Sequence, residues 1–288
     1  MWKRKDAEMK TKVYPEFANI DRKYSAEESF PVWDGFEVLV NGERVMGYTM
    51  AAGGPKDVLH PAVILLHGFP GHTQNTDISA ALMRSGITTI NPHYRGCWGS
   101  DGNYSFTGNI EDATAIAKKV RSEEFCEQYR IDPDNIFFVG HSIGGFTTIN
   151  TMRRVPWIRG GVCIAPYDMA YYWEKGDMKP FEWLLTTSDH LHTASPSSLY
   201  ENARDNWQDV LFAASREGLL HRNLYFIGGA KDPLAPPKEM IEPLYHYLKD
   251  HHTEGDVQYD LLDTDHDFMD YRIEIASKIA HWIAKIVG

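Results

Sequence analysis

Cysteine is scarce in this 288-residue chain, which carries three: Cys97, Cys126 and Cys163. They are odd in number and scattered, without the spacing of a metal site or a disulfide framework, and read as reduced thiols in a reducing compartment. Long apolar runs are missing too. None approaches the roughly 18 uninterrupted residues of a membrane-spanning helix, so no membrane partner is expected. The opening Met1-Trp2-Lys3-Arg4-Lys5-Asp6-Ala7-Glu8 has basic residues but no apolar core or small-residue cleavage site behind them, and does not read as a signal peptide. The expected location is cytoplasmic. Positive charge is outnumbered, with 29 Lys and Arg against 40 Asp and Glu, and no basic stripe offsets the net −11, which argues against nucleic acid as a partner. No H-E-x-x-H occurs, and neither His190-x-His192 nor His251-His252 has a carboxylate or cysteine at ligand spacing, so no metal is expected. Residues 96 to 102 are rich in glycine but lack both G-x-x-x-x-G-K-[ST] and a helix-opening G-x-G-x-x-G. No nucleotide or other cofactor is expected.

What is present is a rhythm. Phe36 to Met50 reads as two strands around the turn pair Asn41-Gly42, a strong hairpin signal. Ala62 to Leu66 is a fully apolar strand stopped by His67-Gly68-Phe69-Pro70-Gly71. Helical spacing over Asp77 to Ser85, ended by Gly86, precedes a strand from Ile87 to Asn91. A helix over Asn109 to Ser122, a strand from Ile136 to Val139, a helix from Ile143 to Met152 and a strand from Gly161 to Ala165 follow. Strands return at Asn223 to Gly228 and Val257 to Leu262, with helices over Pro237 to Asp250 and Tyr271 to Ile286. Such alternation predicts an α/β fold: a mainly parallel central sheet with helices on both faces. Residues 36–167 and 223–288 form its core. Residues 168–222 pass without a buried strand and are predicted to be a helical cap inserted over the carboxyl ends of the strands, where open α/β sheets bind ligands. Residues 1–35 read as an N-terminal arm. An ordered arm, a partly mobile leader and a contact in a homo-oligomer are all open for it.

The chemistry concentrates at Gly140-His141-Ser142-Ile143-Gly144. Ser142 sits on a strand-to-helix turn, where glycines two residues either side let the backbones approach without a clashing Cβ. The helix that follows aims unpaired amides at the same spot, as an oxyanion would need. A serine hydroxyl also requires a base, and the base a group that holds its tautomer. Two further strand ends on the same edge supply candidates. Asp232 follows the strand Leu224 to Gly228, and His266 follows Val257 to Leu262. Asp263, Asp265 and Asp267 compete with Asp232, but they crowd the histidine and are better suited to shaping its loop.

These residues resemble the α/β-hydrolase superfamily, over nearly the whole chain from Phe36 onward. The chain order Ser142, Asp232, His266 is the family's order, Gly-His-Ser-Ile-Gly fits its nucleophile elbow, and His67-Gly68-Phe69 is similar to its oxyanion-hole loop. By matched position the resemblance implies Ser142 as nucleophile, His266 as general base and then acid, Asp232 as orienting carboxylate, and the amides of Phe69 and Ile143 as the oxyanion hole. It also implies no cofactor. The Tyr94-Arg95-Gly96 loop and the mid-chain insertion resemble small-molecule carboxylesterases, feruloyl- and cinnamoyl-esterase-like members included, and the catalytic domain of prolyl-oligopeptidase-type enzymes. The expected reaction is hydrolysis of a small carboxylic ester through an acyl-enzyme. A peptidase is the alternative, with Glu174, Asp177, Glu182 and Asp189 of the cap as candidates to hold a substrate amino group. A non-catalytic binding module of the same fold is a further one. Trp173, Phe181 and Trp183 are candidate substrate contacts, set against the restrained reading that cap aromatics form the cap's own core. Arg95 is expected to be an ion-pair partner rather than a substrate clamp, and His141 to pack between strands.

Overall fold

The computed structural model describes residues 9–72, 74–251 and 254–288, so the opening octapeptide and His252 lie outside the described residues. Its strands are β1 (Lys10–Thr11), β2 (Val32–Val40), β3 (Glu43–Ala51), β4 (Val58–Leu66), β5 (Thr88–Pro92), β6 (Ile131–His141), β7 (Gly160–Ile164), β8 (Asn223–Gly229) and β9 (Val257–Leu262). They form one sheet in the order β2-β3-β5-β4-β6-β7-β8-β9, with the short β1 paired to β4. The hairpin β2–β3 is antiparallel, as is its junction with β5. From β5 to β9 every pairing is parallel.

Sequence explains the arrangement. Every residue of β4, β5 and β7 is buried, as a parallel sheet covered by helices on both faces requires, with Thr88, Thr89 and Asn91 of β5 among the buried polar side chains. The hairpin turns at Asn41 and Gly42, both with positive φ, the type I′ geometry that Asn-Gly favours. Gly86 ends the helix Thr76–Arg84 with φ of +84°, its amide bonded to the Met83 carbonyl. The helix Thr76–Arg84 packs on Arg272–Val287, and Phe106–Val120 packs on Ile143–Met152. Several elements differ from the sequence pattern: β4 and β6 begin at Val58 and Ile131 rather than at Ala62 and Ile136, and the helix expected over 109–122 is Phe106–Val120. A separate helix, Glu123–Tyr129, follows Phe106–Val120 because Ser122 caps it, its hydroxyl accepting from the Phe125 amide. The expected helix over 237–250 is two pieces, Pro237–Met240 and Glu242–His251.

Residues 9–31 lie along the body. A single 3₁₀ turn, Pro15–Ala18, packs on the helices Thr76–Arg84 and Arg272–Val287, and Arg84 donates to the Phe17 and Ala18 carbonyls. Between β7 and β8 the described residues hold helices and no strand: Tyr171–Lys175, Lys179–Leu185, Ser198–Val210, Phe212–Ser215 and a short 3₁₀ turn. Asp168 ties the two ends of this segment together. One of its carboxylate oxygens accepts from the Ala170 amide at 3.1 Å and the other from the Phe212 amide at 3.0 Å.

Candidate active site

The strand β6 runs straight into the helix Ile143–Met152, and Ser142 takes the whole bend with φ of +56° and ψ of −118°. An L-residue in that region stores strain of about 1–3 kcal/mol, sustained only where the surroundings over-determine it. Here they do. A Cβ on Gly140 would lie 2.0 Å from the Gly144 carbonyl oxygen, and one on Gly144 would lie 1.9 Å from the Leu66 carbonyl oxygen. The Ser142 amide donates to Ile164 of β7 at 2.9 Å, and the Ser142 carbonyl accepts from Tyr167 at 3.1 Å. Ile143 opens the helix, so its amide is one of the first-turn donors without an intrahelical acceptor. The loop after β4 comes close from the other side: a Cβ on Gly68 would lie 3.1 Å from that of Ser142. Phe69 follows, its ring set against Tyr104 and Phe106 at 5.6 Å each.

Asp232 and His266 meet. His266 Nδ1 donates to Asp232 Oδ2 at 2.7 Å, while Asp232 Oδ1 accepts from the amides of Leu234 at 2.8 Å and Ala235 at 2.9 Å. Both carboxylate oxygens are engaged, and the imidazole is left with Nε2 as a free acceptor. Burial pushes the Asp232 carboxyl up, but the hydrogen bond and charge of His266, with the two amides, outweigh it and hold the group below the usual carboxylate range. The competing carboxylates are elsewhere engaged or exposed. Asp263 pairs with Lys231 at 2.9 Å, and Asp265 accepts from the Asp267 amide.

Ser142 and His266, 7% and 9% exposed, line one cavity of about 420 Å³. That volume suits a small organic molecule. Its lining includes Gly68, Phe69 and Pro70 from the loop after β4, Tyr167 and Leu234 from the loops after β7 and β8, and Trp183, Leu184 and Thr187 from the helical segment between β7 and β8. Among the described residues no Lys or Arg lines it, while Asp267, His72 and His141 do. Larger hollows of about 600 and 710 Å³ are lined by other residues, so size alone does not locate the site.

Of the aromatic substrate candidates, Trp183 alone is in the lining. It is 55% exposed, whereas Phe181 is wholly buried between Phe106 and Trp173, at 5.7 and 4.7 Å, and Trp173 leans on Tyr200. Trp173 and Phe181 therefore make the core of the inserted segment, because their positions on short helices face the body rather than the cavity. The carboxylates Glu174, Asp177, Glu182 and Asp189 are exposed and line no part of the cavity. Arg95 is bound up with Asp112 at 2.6 Å, Glu111 at 2.7 Å and Glu43 at 3.2 Å. His67 is fully buried, held by burial at a pKa of about 4, with Nδ1 2.8 Å from the Gly68 carbonyl. His190 sits against the Pro70 carbonyl and His192 against that of Gly102. Among the described residues no three metal-ligating side chains cluster, and no helix is long and apolar enough to cross a membrane. Tyr167 and Leu234 were not singled out as cavity residues from the sequence, and Asp267 was read only as shaping the histidine loop, although each lies within three residues of a strand end or a singled-out residue on the same sheet edge.

Known proteins agree with this architecture. A structure of a Pyrococcus furiosus esterase superposes with a TM-score of 0.65 at 19% identity, covering 90% of this chain and 92% of that one. A puromycin hydrolase superposes at 0.67 with 16% identity, over 89% of this chain and 39% of its own. A 2,6-dihydroxy-pseudo-oxynicotine hydrolase does so at 0.63 with 17% identity, over 89% and 68%. At such identities the likeness speaks for the fold. A comparison with curated protein sequences gave no match. The sequence model of the alpha/beta hydrolase family matches residues 63–278, well over half of the chain and inclusive of Ser142, Asp232 and His266, and the chain belongs to that family.

Proposed function

We propose that this chain is a serine hydrolase that cleaves the carboxylic ester of a small molecule through an acyl-enzyme, without a cofactor. The observation that carries the reading is the buried His266–Asp232 pair at 2.7 Å, its imidazole acceptor left free, sharing a cavity with a serine on a strained elbow. Ser142 Oγ attacks the ester carbonyl as its proton passes to His266 Nε2. The amides of Phe69 and Ile143 stabilise the tetrahedral oxyanion. On collapse the alcohol departs with the proton from His266, and a water deprotonated by the same imidazole releases the acid and restores the serine. Asp232 keeps the imidazole in the tautomer that accepts from Ser142 and steadies the imidazolium once it forms.

The residues 168–222 serve as a cap on this reading, contributing Trp183, Leu184 and Thr187 to the acyl or alcohol subsite. The superposed proteins, an esterase and two hydrolases by name, are compatible with hydrolysis on this scaffold. Ester cleavage is preferred over aminopeptidase action because the exposed carboxylates of the cap stand outside the cavity. Three buried, unpaired cysteines support a cytoplasmic location. The test is intact-protein mass spectrometry after a fluorophosphonate, with hydrolysis of p-nitrophenyl acetate and butyrate, on wild type and Ser142→Ala. Labelling and turnover that both disappear in the variant support the proposal. A wild type that neither labels nor turns over rejects it in favour of a binding module.

A further inference from the structure

His141 precedes the serine, and its ring reaches across to the histidine loop rather than packing idly between strands. Its Nε2 lies 2.8 Å from the backbone carbonyl of His266, which can only accept, so Nε2 carries the proton. The ring is 5.0 Å from that of His266, and the edge of Phe268 meets it at 6.4 Å and 87°. Phe268 is itself fully buried with φ of +53°, so the short loop 266–268 wraps around the His141 ring in a conformation a free chain would avoid. The side chain of His266 is aimed by Asp232, but aiming a ring requires its backbone to be fixed as well. In this fold the fixing group is one residue from the nucleophile, on the rigid end of β6.

We propose, resting on the serine-hydrolase reading, that His141 is a positioning residue: its Nε2–H bond to the His266 carbonyl sets the separation between the base and Ser142. Serine and base are thereby referenced to one strand end instead of two independent loops. The device has a second consequence. Burial, followed by the nearby His266, holds the His141 imidazole at a pKa of about 3, so no second positive charge opposes the imidazolium that forms on His266 during acyl transfer. Neutral His141 is both tether and silent neighbour.

The test compares His141→Gln, whose amide N–H can reach the same carbonyl, with His141→Asn, which is too short, and His141→Leu, which fills the space without a donor. Steady-state hydrolysis of p-nitrophenyl butyrate is read as kcat and KM separately, with the rate of fluorophosphonate labelling alongside. Displacing a base by a fraction of an ångström to an ångström costs roughly 10- to 100-fold. The expected pattern is kcat and labelling rate down by about that factor in Asn and Leu, KM within about twofold, and Gln within about fivefold of wild type. Should the Leu protein fail to fold, the polar Gln and Asn pair decides. Equal labelling of wild type and all variants overturns the inference, and so does a Gln variant as slow as Asn, which would make His141 a space-filler. A change confined to KM would reduce it to a cavity wall. A wild type that does not label is a different failure: it removes the hydrolase reading and the catalytic meaning of His141 together.

Discussion

Replacing Asp232 by asparagine changes one atom in the middle of the proposed machinery and should nearly stop it. Asparagine fits the space, but its amide has one acceptor where the carboxylate has two. With its oxygen toward the Leu234 and Ala235 amides, as the two bonds of 2.8 and 2.9 Å demand, its NH₂ faces His266 Nδ1. The imidazole must then accept at Nδ1 and carry its proton on Nε2, the tautomer that cannot take a proton from Ser142. Turning the amide over restores the tautomer only by setting NH₂ against two backbone donors, which leaves buried groups unsatisfied at about 1–3 kcal/mol each. The first orientation wins. An equivalent tautomer error in a serine protease lowers kcat by about 10⁴, or about 5 kcal/mol of barrier, and a loss of that order is expected here with KM little changed. Stopped-flow and steady-state hydrolysis of p-nitrophenyl butyrate from pH 6 to 10 would measure it. A kcat within tenfold of wild type would refute the assignment of Asp232, the more so if Asp265→Asn or Asp267→Asn proved the damaging change.

The aromatic pair in the inserted segment should separate stability from binding. Phe181→Ala, at a wholly buried site, is expected to cost about 3–5 kcal/mol in urea unfolding, whereas Trp183→Ala should leave stability within about 0.5 kcal/mol and raise KM for aryl esters. Gly144→Ala drives a Cβ to 1.9 Å from the Leu66 carbonyl and should cost at least about 3 kcal/mol or prevent folding. Gly35→Ala, with nothing within 4 Å, is the control that should melt near wild type. Burial lifts the Asp168 carboxyl to about 7 despite the two amides it accepts from, and the charge of Glu174 adds to the rise. Because the folded value is raised above 3.8, the stability this group contributes is complete below about pH 4 and declines as pH climbs through about 7. Melting curves should therefore show Asp168→Asn gaining on wild type across that window, by at most about 4 kcal/mol, and parallel to it above. A constant offset at all pH values would remove Asp168 from the titration.

Much of this was legible before folding because it rests on local causes. Buried parallel strands write themselves as apolar runs such as Ala62 to Leu66, the Asn41-Gly42 pair specifies its own turn, and the glycines around Ser142 are demanded by contacts two residues away. The order of strand ends on one edge then places Asp232 and His266 opposite the serine. What chain periodicity could not carry were contacts between residues far apart in sequence. The short helices between β7 and β8 have too few turns to reveal which side faces inward, so Trp173, Phe181 and Trp183 looked alike until tertiary packing buried Phe181, half-buried Trp173 and left Trp183 at the cavity. The same holds for His141, whose partner lies 125 residues on.

By itself, then, the sequence determined the α/β alternation, the elbow at Ser142 and the set of strand-end residues that supply the proposed base and its orienting acid, since each is fixed by backbone sterics and burial within a few residues. The tertiary structure alone decided that Asp232 rather than its neighbours meets His266, that the cavity is walled by Tyr167, Trp183 and Leu234 and lacks a cationic side chain among the described residues, and that His141 bridges to the histidine loop. Those are statements of distance between strands, and distance is set by packing, not by spacing along the chain.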